Sequence, residues 1–236
     1  MIVGDTWGIV QTELYKLSTV YQRTHYNHNY DLSVLNSLDY ILMSRGHSVY
    51  NRSWGGSHNY QQLTFVDTCI TAGKSHGFNI DLVIWFHTEL LKNSDRDRIK
   101  QIGLENYLDE TAEIIYTYAS EIKQSSPSTK WAIIGATGAL RENNLLDWAE
   151  FKINNLRSYV FNKNTPNCHS YYVYHHMNRW DDIKDFISIE EMETEKQKCN
   201  IIDELQQDKT LFFNTIHPGP NFYTQLNNDL IRHFNL

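Results

Sequence analysis

The stretch MIVGDTWGIV (residues 1–10) decides the fold, because a short apolar run stops there at a glycine and an aspartate. Residues 1–3 are typical of a buried strand, and Gly4-Asp5 is typical of a tight turn. Thr6 follows this turn directly. Ligands of open α/β sheets bind beyond the carboxyl ends of the strands, so we expect Thr6 at a functional position. The alternative is that Thr6 is the N-cap of a following helix.

The rest of the chain alternates short apolar segments with longer helical patterns. Apolar residues recur at helical intervals in segments 32–46, 97–123 and 221–236, and the first of these stops at Gly46. Such alternation predicts one α/β domain over residues 1–236, with a parallel sheet of about five strands and helices on both sides. Insertions are expected within 140–170 and 176–210. The predicted strands are 2–5, 47–52, 80–86, 131–135 and 170–175.

Composition excludes several classes of protein. With 21 basic against 28 acidic residues, the net charge is -7, which argues against a general nucleic-acid binder. The three cysteines are far apart and form no CxxC pair, which is typical of reduced thiols. No apolar run approaches the roughly 18 residues that a membrane span needs. We therefore expect a cytoplasmic protein with neither a nucleic-acid nor a membrane partner.

Four polar turns follow or precede predicted elements in a fixed order. They are GDTWG (4–8), NRSWGGSHN (51–59), FHTEL (86–90) and NTIHPGP (214–220). This set resembles the four sequence blocks of the SGNH (GDSL-type) hydrolases, and the aromatic-rich flanks are most similar to SGNH-like proteins of tailed bacteriophages. The resemblance implies a flavodoxin-like three-layer α/β/α sandwich. It also implies hydrolysis of an acyl ester, as in an esterase or a carbohydrate O-deacylase, without a cofactor.

The resemblance also assigns roles to individual residues. Thr6 falls at the nucleophile position, His217 at the base and Asn214 at the residue that orients the base, while Asp5 supports the turn. The oxyanion would be held by backbone N–H groups and by one side chain of FHTEL. The residues implied in oxyanion or substrate binding are Gly55, Gly56, Thr88 and, in a register shifted by one, His87.

Three of these positions depart from the family pattern. Thr6 replaces serine, and its extra methyl group restricts the side chain. Asn214 replaces aspartate, a change that costs about 10⁴ in kcat in a well-studied triad. Thr88 replaces asparagine. Two outcomes follow: a slow or specialised hydrolase, or a catalytically impaired SGNH-fold protein with a binding or structural role and a protein partner.

Other motifs carry simpler interpretations. His25 and His28 have a spacing that could contact a metal, but no third ligand has convincing spacing, so no metal is expected. The segment GATGAL (135–140) lacks the Gly-Lys-Ser/Thr ending of a phosphate loop. The tyrosine-rich segment 170–176 is interpreted as strand packing, with a sugar or aromatic pocket as the alternative.

Overall fold

The computed structural model describes residues 1–4, 38–53, 57–91, 94–136, 138–166, 171–176, 178–208, 211 and 220–236. Within these residues a parallel sheet contains β1 (Ile2–Val3), β2 (Leu82–His87), β3 (Lys130–Gly135) and β4 (Phe151–Ile153), in that spatial order. Short 3₁₀ turns span Trp180–Asp182 and Pro220–Tyr223. The described α-helices are α1 (Leu38–Ser44), α2 (Asn59–His76), α3 (Arg96–Ile102), α4 (Leu104–Ser125), α5 (Leu156–Phe161), α6 (Tyr171–His176), α7 (Ile189–Gln206) and α8 (Thr224–Phe234).

The segment predicted as a strand at 47–52 lies on the other side of β1 from β2. Ile2 forms an isolated parallel bridge with Asn51. Its N–H donates to the Tyr50 carbonyl at 2.9 Å, and its carbonyl accepts from the Arg52 N–H at 2.8 Å. With this segment counted, the order along the sheet is 2-1-3-4-5, that of a flavodoxin-like fold. The fold class is therefore confirmed, although the described residues form four strands rather than about five.

Helices cover both faces of the sheet, because the strands are apolar on both sides. Successive residues of β2 alternate between two buried clusters: Val83 and Trp85 belong to one, and Ile84 and Phe86 belong to the other. The first cluster includes Leu63 and Val66 of α2 and Leu108 and Ala112 of α4. The second includes Leu38 and Leu42 of α1 and Leu226 and Leu230 of α8. These layers make the three-layer α/β/α sandwich.

The prediction of a strand at 170–175 is wrong, because residues 171–176 form helix α6. Tyrosine and valine favour strands in isolation, but tertiary contacts override such preferences. Tyr171 is buried and packs its ring near Trp180. One helical turn later, His175 Nε2 lies 3.1 Å from Asp203 Oδ2 on α7. Helical spacing places both contacts on the side of α6 that faces its neighbours.

Other predicted features match the structure. Helix α1 ends just before Gly46, which adopts a φ of 89° that suits glycine. The long helical segment is divided at Gly103 into α3 and α4. The apolar positions predicted for the last helix, Leu226, Leu230 and Phe234, are buried. Among the described helices, none combines the length and the apolar character that a membrane crossing requires.

Candidate active site

Of the predicted site residues, the structure describes two, His87 and Thr88. His87 and Thr88 lie at the carboxyl end of β2, next to β1. Between these strands the order of the flavodoxin-like sheet reverses, and ligands of such sheets bind at this point. The predicted residues that lie outside the described part of the chain are Asp5, Thr6, Gly55, Gly56, Asn214 and His217, and the same holds for His25 and His28.

Asn59 connects the start of α2 to the end of β2. Its Oδ1 accepts a hydrogen bond from the Thr88 N–H at 2.8 Å, and its Nδ2 donates to the Thr88 carbonyl at 2.8 Å. The same amide nitrogen lies 3.2 Å from His87 Nε2. Asn59, His87 and Thr88 are at most 2% exposed. One buried amide therefore fixes the backbone of the turn that follows β2.

These contacts orient the ring of His87. The Thr88 N–H can only donate, so the oxygen of Asn59 faces it and the amide nitrogen faces the imidazole. Nδ1 on the other side of the ring lies 3.4 Å from the carbonyl oxygen of Gly138. The ring is thus held between the turn after β3 and the start of α2.

A second hydrogen-bonded chain links the turn after β1 to the interior. The Ser57 hydroxyl donates to the Gly4 carbonyl at 2.7 Å and accepts from Gln62 Nε2 at 3.0 Å. Gln62 Oε1 in turn accepts from the indole N–H of Trp85 at 2.8 Å. Ser57, Gln62 and Trp85 are fully buried. These bonds hold the carboxyl end of β1 against the start of α2.

The turn after β3 packs closely against the turn after β2. An added Cβ on Gly138 would lie 2.7 Å from the Glu89 Cα, so only glycine allows the turn after β3 to reach the turn after β2. Tyr116 of α4 closes the space beside His87, with ring centroids 5.7 Å apart. Burial raises the pKa of the Tyr116 hydroxyl, which accepts a hydrogen bond from the Arg141 N–H.

The residues after the fourth motif also reach this edge. The 3₁₀ turn Pro220–Tyr223 begins at the last residue of the HPGP segment and leads into α8. Tyr223 is buried, and its ring packs edge-on against Phe86 at a centroid distance of 6.3 Å. Phe86 immediately precedes His87 in β2. The described residues that flank the four motifs therefore converge around the carboxyl ends of β1 and β2.

The sequence did not identify Asn59 and Gln62 as partners of these residues. Asn59 is the first residue of α2, whose N-cap is His58. A polar residue at the buried start of an amphipathic helix was the available signal. A substrate contact from His87 or Thr88 stays a prediction.

Within the described ranges no group of three or more histidine, cysteine or acidic side chains could hold a metal ion. Cys69 is a free thiol, and Cys199 is buried. Comparison of the chain with protein-family models, with curated proteins and with solved structures found no match.

Proposed function

We propose that the protein is an SGNH-like hydrolase that cleaves acyl esters, with Thr6 as nucleophile and His217 as general base. The observation that supports this most directly is the convergence of described residues that lie in or next to the four motifs. Ser57 contacts Gly4, Asn59 contacts His87 and Thr88, and Tyr223 contacts Phe86. Residues in or next to motifs that lie more than 200 positions apart in the chain are thus found at one end of two neighbouring strands. A shared active site requires such an arrangement.

In the proposed reaction the Thr6 hydroxyl attacks the ester carbonyl while His217 accepts its proton. The tetrahedral intermediate expels the alcohol, which takes the proton from His217, and an acyl-threonine ester remains. Water, deprotonated by His217, then attacks this ester, and the Thr6 oxygen leaves with the proton from His217, which releases the carboxylic acid and restores both residues. Asn214 would orient His217 by accepting its second N–H, but an amide carries no charge to stabilise the imidazolium.

Backbone N–H groups are the best candidates for the oxyanion hole. The Thr88 N–H already donates to Asn59, and the His87 ring is hydrogen-bonded on both sides. We therefore assign oxyanion binding to the N–H of Thr6 and to one of the N–H groups of Gly55 and Gly56. His87 and Thr88 would support this site through the turn that they form.

Hydrolysis of 4-nitrophenyl acetate and of acetylated sugars tests the reaction. Thr6→Ala and His217→Ala should each abolish turnover, whereas the exposed residues changed in Thr68→Ala and His76→Ala provide matched controls. Thr6→Ser should raise kcat, because it removes the methyl group that crowds the attack. Hydrolysis that persists in both Thr6→Ala and His217→Ala would refute the proposed mechanism.

The alternative is a non-catalytic SGNH-fold protein that binds or scaffolds, such as a component of a phage particle. The burial of His87 and Thr88 favours it, and so does the contact of the His87 ring with Asn59. Thr88, or His87 in a register shifted by one, falls where the family pattern puts a substrate-facing donor. Thr6 would then resist labelling by a fluorophosphonate probe, and the protein would form a stable complex with a protein partner. Labelling at Thr6 that is lost in His217→Ala would exclude this alternative.

A further inference from the structure

A second site candidate lies beside β4, at the opposite end of the sheet from β1. A cleft of about 1010 Å³ opens there between α5 and α8. This volume is at the upper end of the roughly 300–1,000 Å³ that ligand clefts usually have. Its lining includes Phe151 and Lys152 of β4, Ser158 and Tyr159 of α5, and Asp229 and Arg232 of α8.

The charges of this cleft balance one another. Lys152 Nζ lies 2.6 Å from Asp147 Oδ1, and an Arg232 guanidinium nitrogen lies 3.5 Å from Asp229 Oδ1. Glu142 adds a further carboxylate to the lining. A phosphate or carboxylate ligand would meet cations that already face carboxylates. The lining itself contains two cations, Lys152 and Arg232, and two carboxylates, Glu142 and Asp229, so its formal charges cancel. The electrostatics therefore favour a neutral ligand.

Neutral polar groups supply the remaining hydrogen-bonding capacity. Asn154 and Asn164 are exposed at the cleft, and each amide offers both donors and an acceptor. Asn155 has a structural task, because its Oδ1 caps α5 by accepting from the Ser158 N–H at 3.1 Å. A ligand with many hydroxyl groups, each of which donates and accepts, matches such amides better than an apolar ligand does.

Aromatic rings provide the apolar part of the cleft. Phe151 is half-buried, and the His233 ring packs edge-on against it at a centroid distance of 5.3 Å. The Tyr159 hydroxyl donates to Asp229 Oδ2 and orients that carboxylate toward the cleft. Burial and the neighbouring Asp229 raise the pKa of Tyr159 to about 12, so this hydroxyl remains a donor at neutral pH.

From these features we infer that the cleft binds a neutral oligosaccharide. Aromatic side chains present apolar faces on which the C–H faces of sugar rings pack, while oriented carboxylate and amide groups bind the hydroxyls. One wall of the cleft contains Ala139 and Leu140, which follow Gly138, whose carbonyl faces His87. If the proposed hydrolase function holds, the substrate is then an ester on a sugar chain. Binding itself does not depend on that function.

Calorimetric titration of the full chain with unesterified trisaccharides tests this inference. The probes are maltotriose, cellotriose, mannotriose and chitotriose at millimolar concentration. We expect at least one to bind, and we expect Tyr159→Phe to weaken that binding about fivefold, because the carboxylate of Asp229 loses its orienting hydrogen bond. Tyr60→Phe, at an exposed tyrosine of α2, is the matched control and should leave the affinity unchanged.

A second measurement locates the bound sugar. In ¹H–¹⁵N spectra of the wild-type protein, the trisaccharide should shift the resonances of Asn154, Asn164 and Arg232. Three results would overturn the inference: no response to any of the four sugars, shifts confined to residues outside the cleft, or an affinity that Tyr159→Phe and Tyr60→Phe change equally. Because the sugars carry no ester, failure of binding is distinguishable from failure of hydrolysis.

Discussion

The carboxyl edge of the sheet has a buried half, beyond β1 and β2, and an open half, beyond β3 and β4. The two halves differ in how exposed their polar side chains are. Beyond β1 and β2, Ser57, Asn59, His87 and Thr88 are at most 2% exposed and are hydrogen-bonded to one another or to backbone. Beyond β3 and β4, Asn154 and Asn164 are exposed at an open cleft. Burying polar groups is tolerated only when they are paired. The first set therefore fixes backbone geometry, whereas the second can exchange water for a ligand.

Removing the side-chain amide of Asn59, which lies at the centre of the buried half, tests this difference most strongly. Asn59→Ala leaves the N–H and carbonyl of Thr88 and the His87 ring without their Asn59 partner. We expect a loss of about 3 kcal/mol in the free energy of unfolding, measured by urea denaturation. Asn106→Ala, at an exposed asparagine of α4 whose amide also bonds to a carbonyl, should cost less than about 1 kcal/mol. Equal losses in the two variants would refute the role of Asn59.

The junction between β3 and β4 gives the next largest effect. A Cβ on Gly135 would lie 2.1 Å from the Asn154 carbonyl oxygen, which is backbone and cannot rotate away. Gly135→Ala should lower the free energy of unfolding by about 2–3 kcal/mol and distort the cleft wall. The control is Gly77→Ala, where φ is 77° but no atom lies within 4 Å. It should cost only the backbone strain of about 1 kcal/mol, and a larger loss there than at Gly135 would contradict the steric argument.

A smaller effect is expected where the buried half contacts β1. Ser57→Ala removes the donor to the Gly4 carbonyl and the acceptor of Gln62. We expect a loss of about 1–2 kcal/mol in thermal or urea unfolding. Ser75→Ala, at an exposed serine of α2 that bonds to the Thr71 carbonyl, is the matched control. No difference between the two variants would show that the Gly4 contact contributes nothing to stability.

The smallest effect on the free energy of unfolding is expected from Tyr159→Phe in the open half, and it should be visible only at high pH. Unfolding returns the pKa of Tyr159 from about 12 to its ordinary value of 10. Between these values the unfolded chain has lost a proton that the folded chain keeps, so stability decreases as pH rises. Tyr159→Phe should reduce the slope of unfolding free energy against pH from 10 to 12. Tyr40→Phe, at an exposed tyrosine of α1, is the control, and identical slopes in the two variants would argue against the Asp229 contact.

The fold was predictable because its strongest signals are local. β2 is a continuous apolar segment that suits a strand buried on both faces, and the last helix repeats its apolar residues every four positions. β4 was not predicted because three residues, Phe151–Ile153, are too few to show a period. Residues 171–176 were assigned to the wrong element because their packing against Trp180 and α7 is not visible in local composition.

Of the candidate site, the sequence indicated only that polar turns follow the strands. His87 and Thr88 lie at the carboxyl end of β2, next to β1, and their part in an active site stays a prediction. The partner of His87 could not be inferred, because Asn59 reaches it across 28 positions of sequence. The cleft beside β4 was missed for the same reason, since its walls come from segments 139–165 and 229–233.

The position of β1 in the sheet has a consequence for how the chain acquires its structure. Ile2 pairs with Asn51 on one side and with Ile84 on the other, and a hydrogen bond joins Met1 to Leu82, 81 positions away. During synthesis β1 emerges long before β2, so the backbone N–H and C=O groups on one of its edges stay unpaired until β2 is available. Pairing over this separation slows folding. Ribosome-bound chains that end before Leu82 should therefore depend on chaperones, whereas chains that extend past β3 should not.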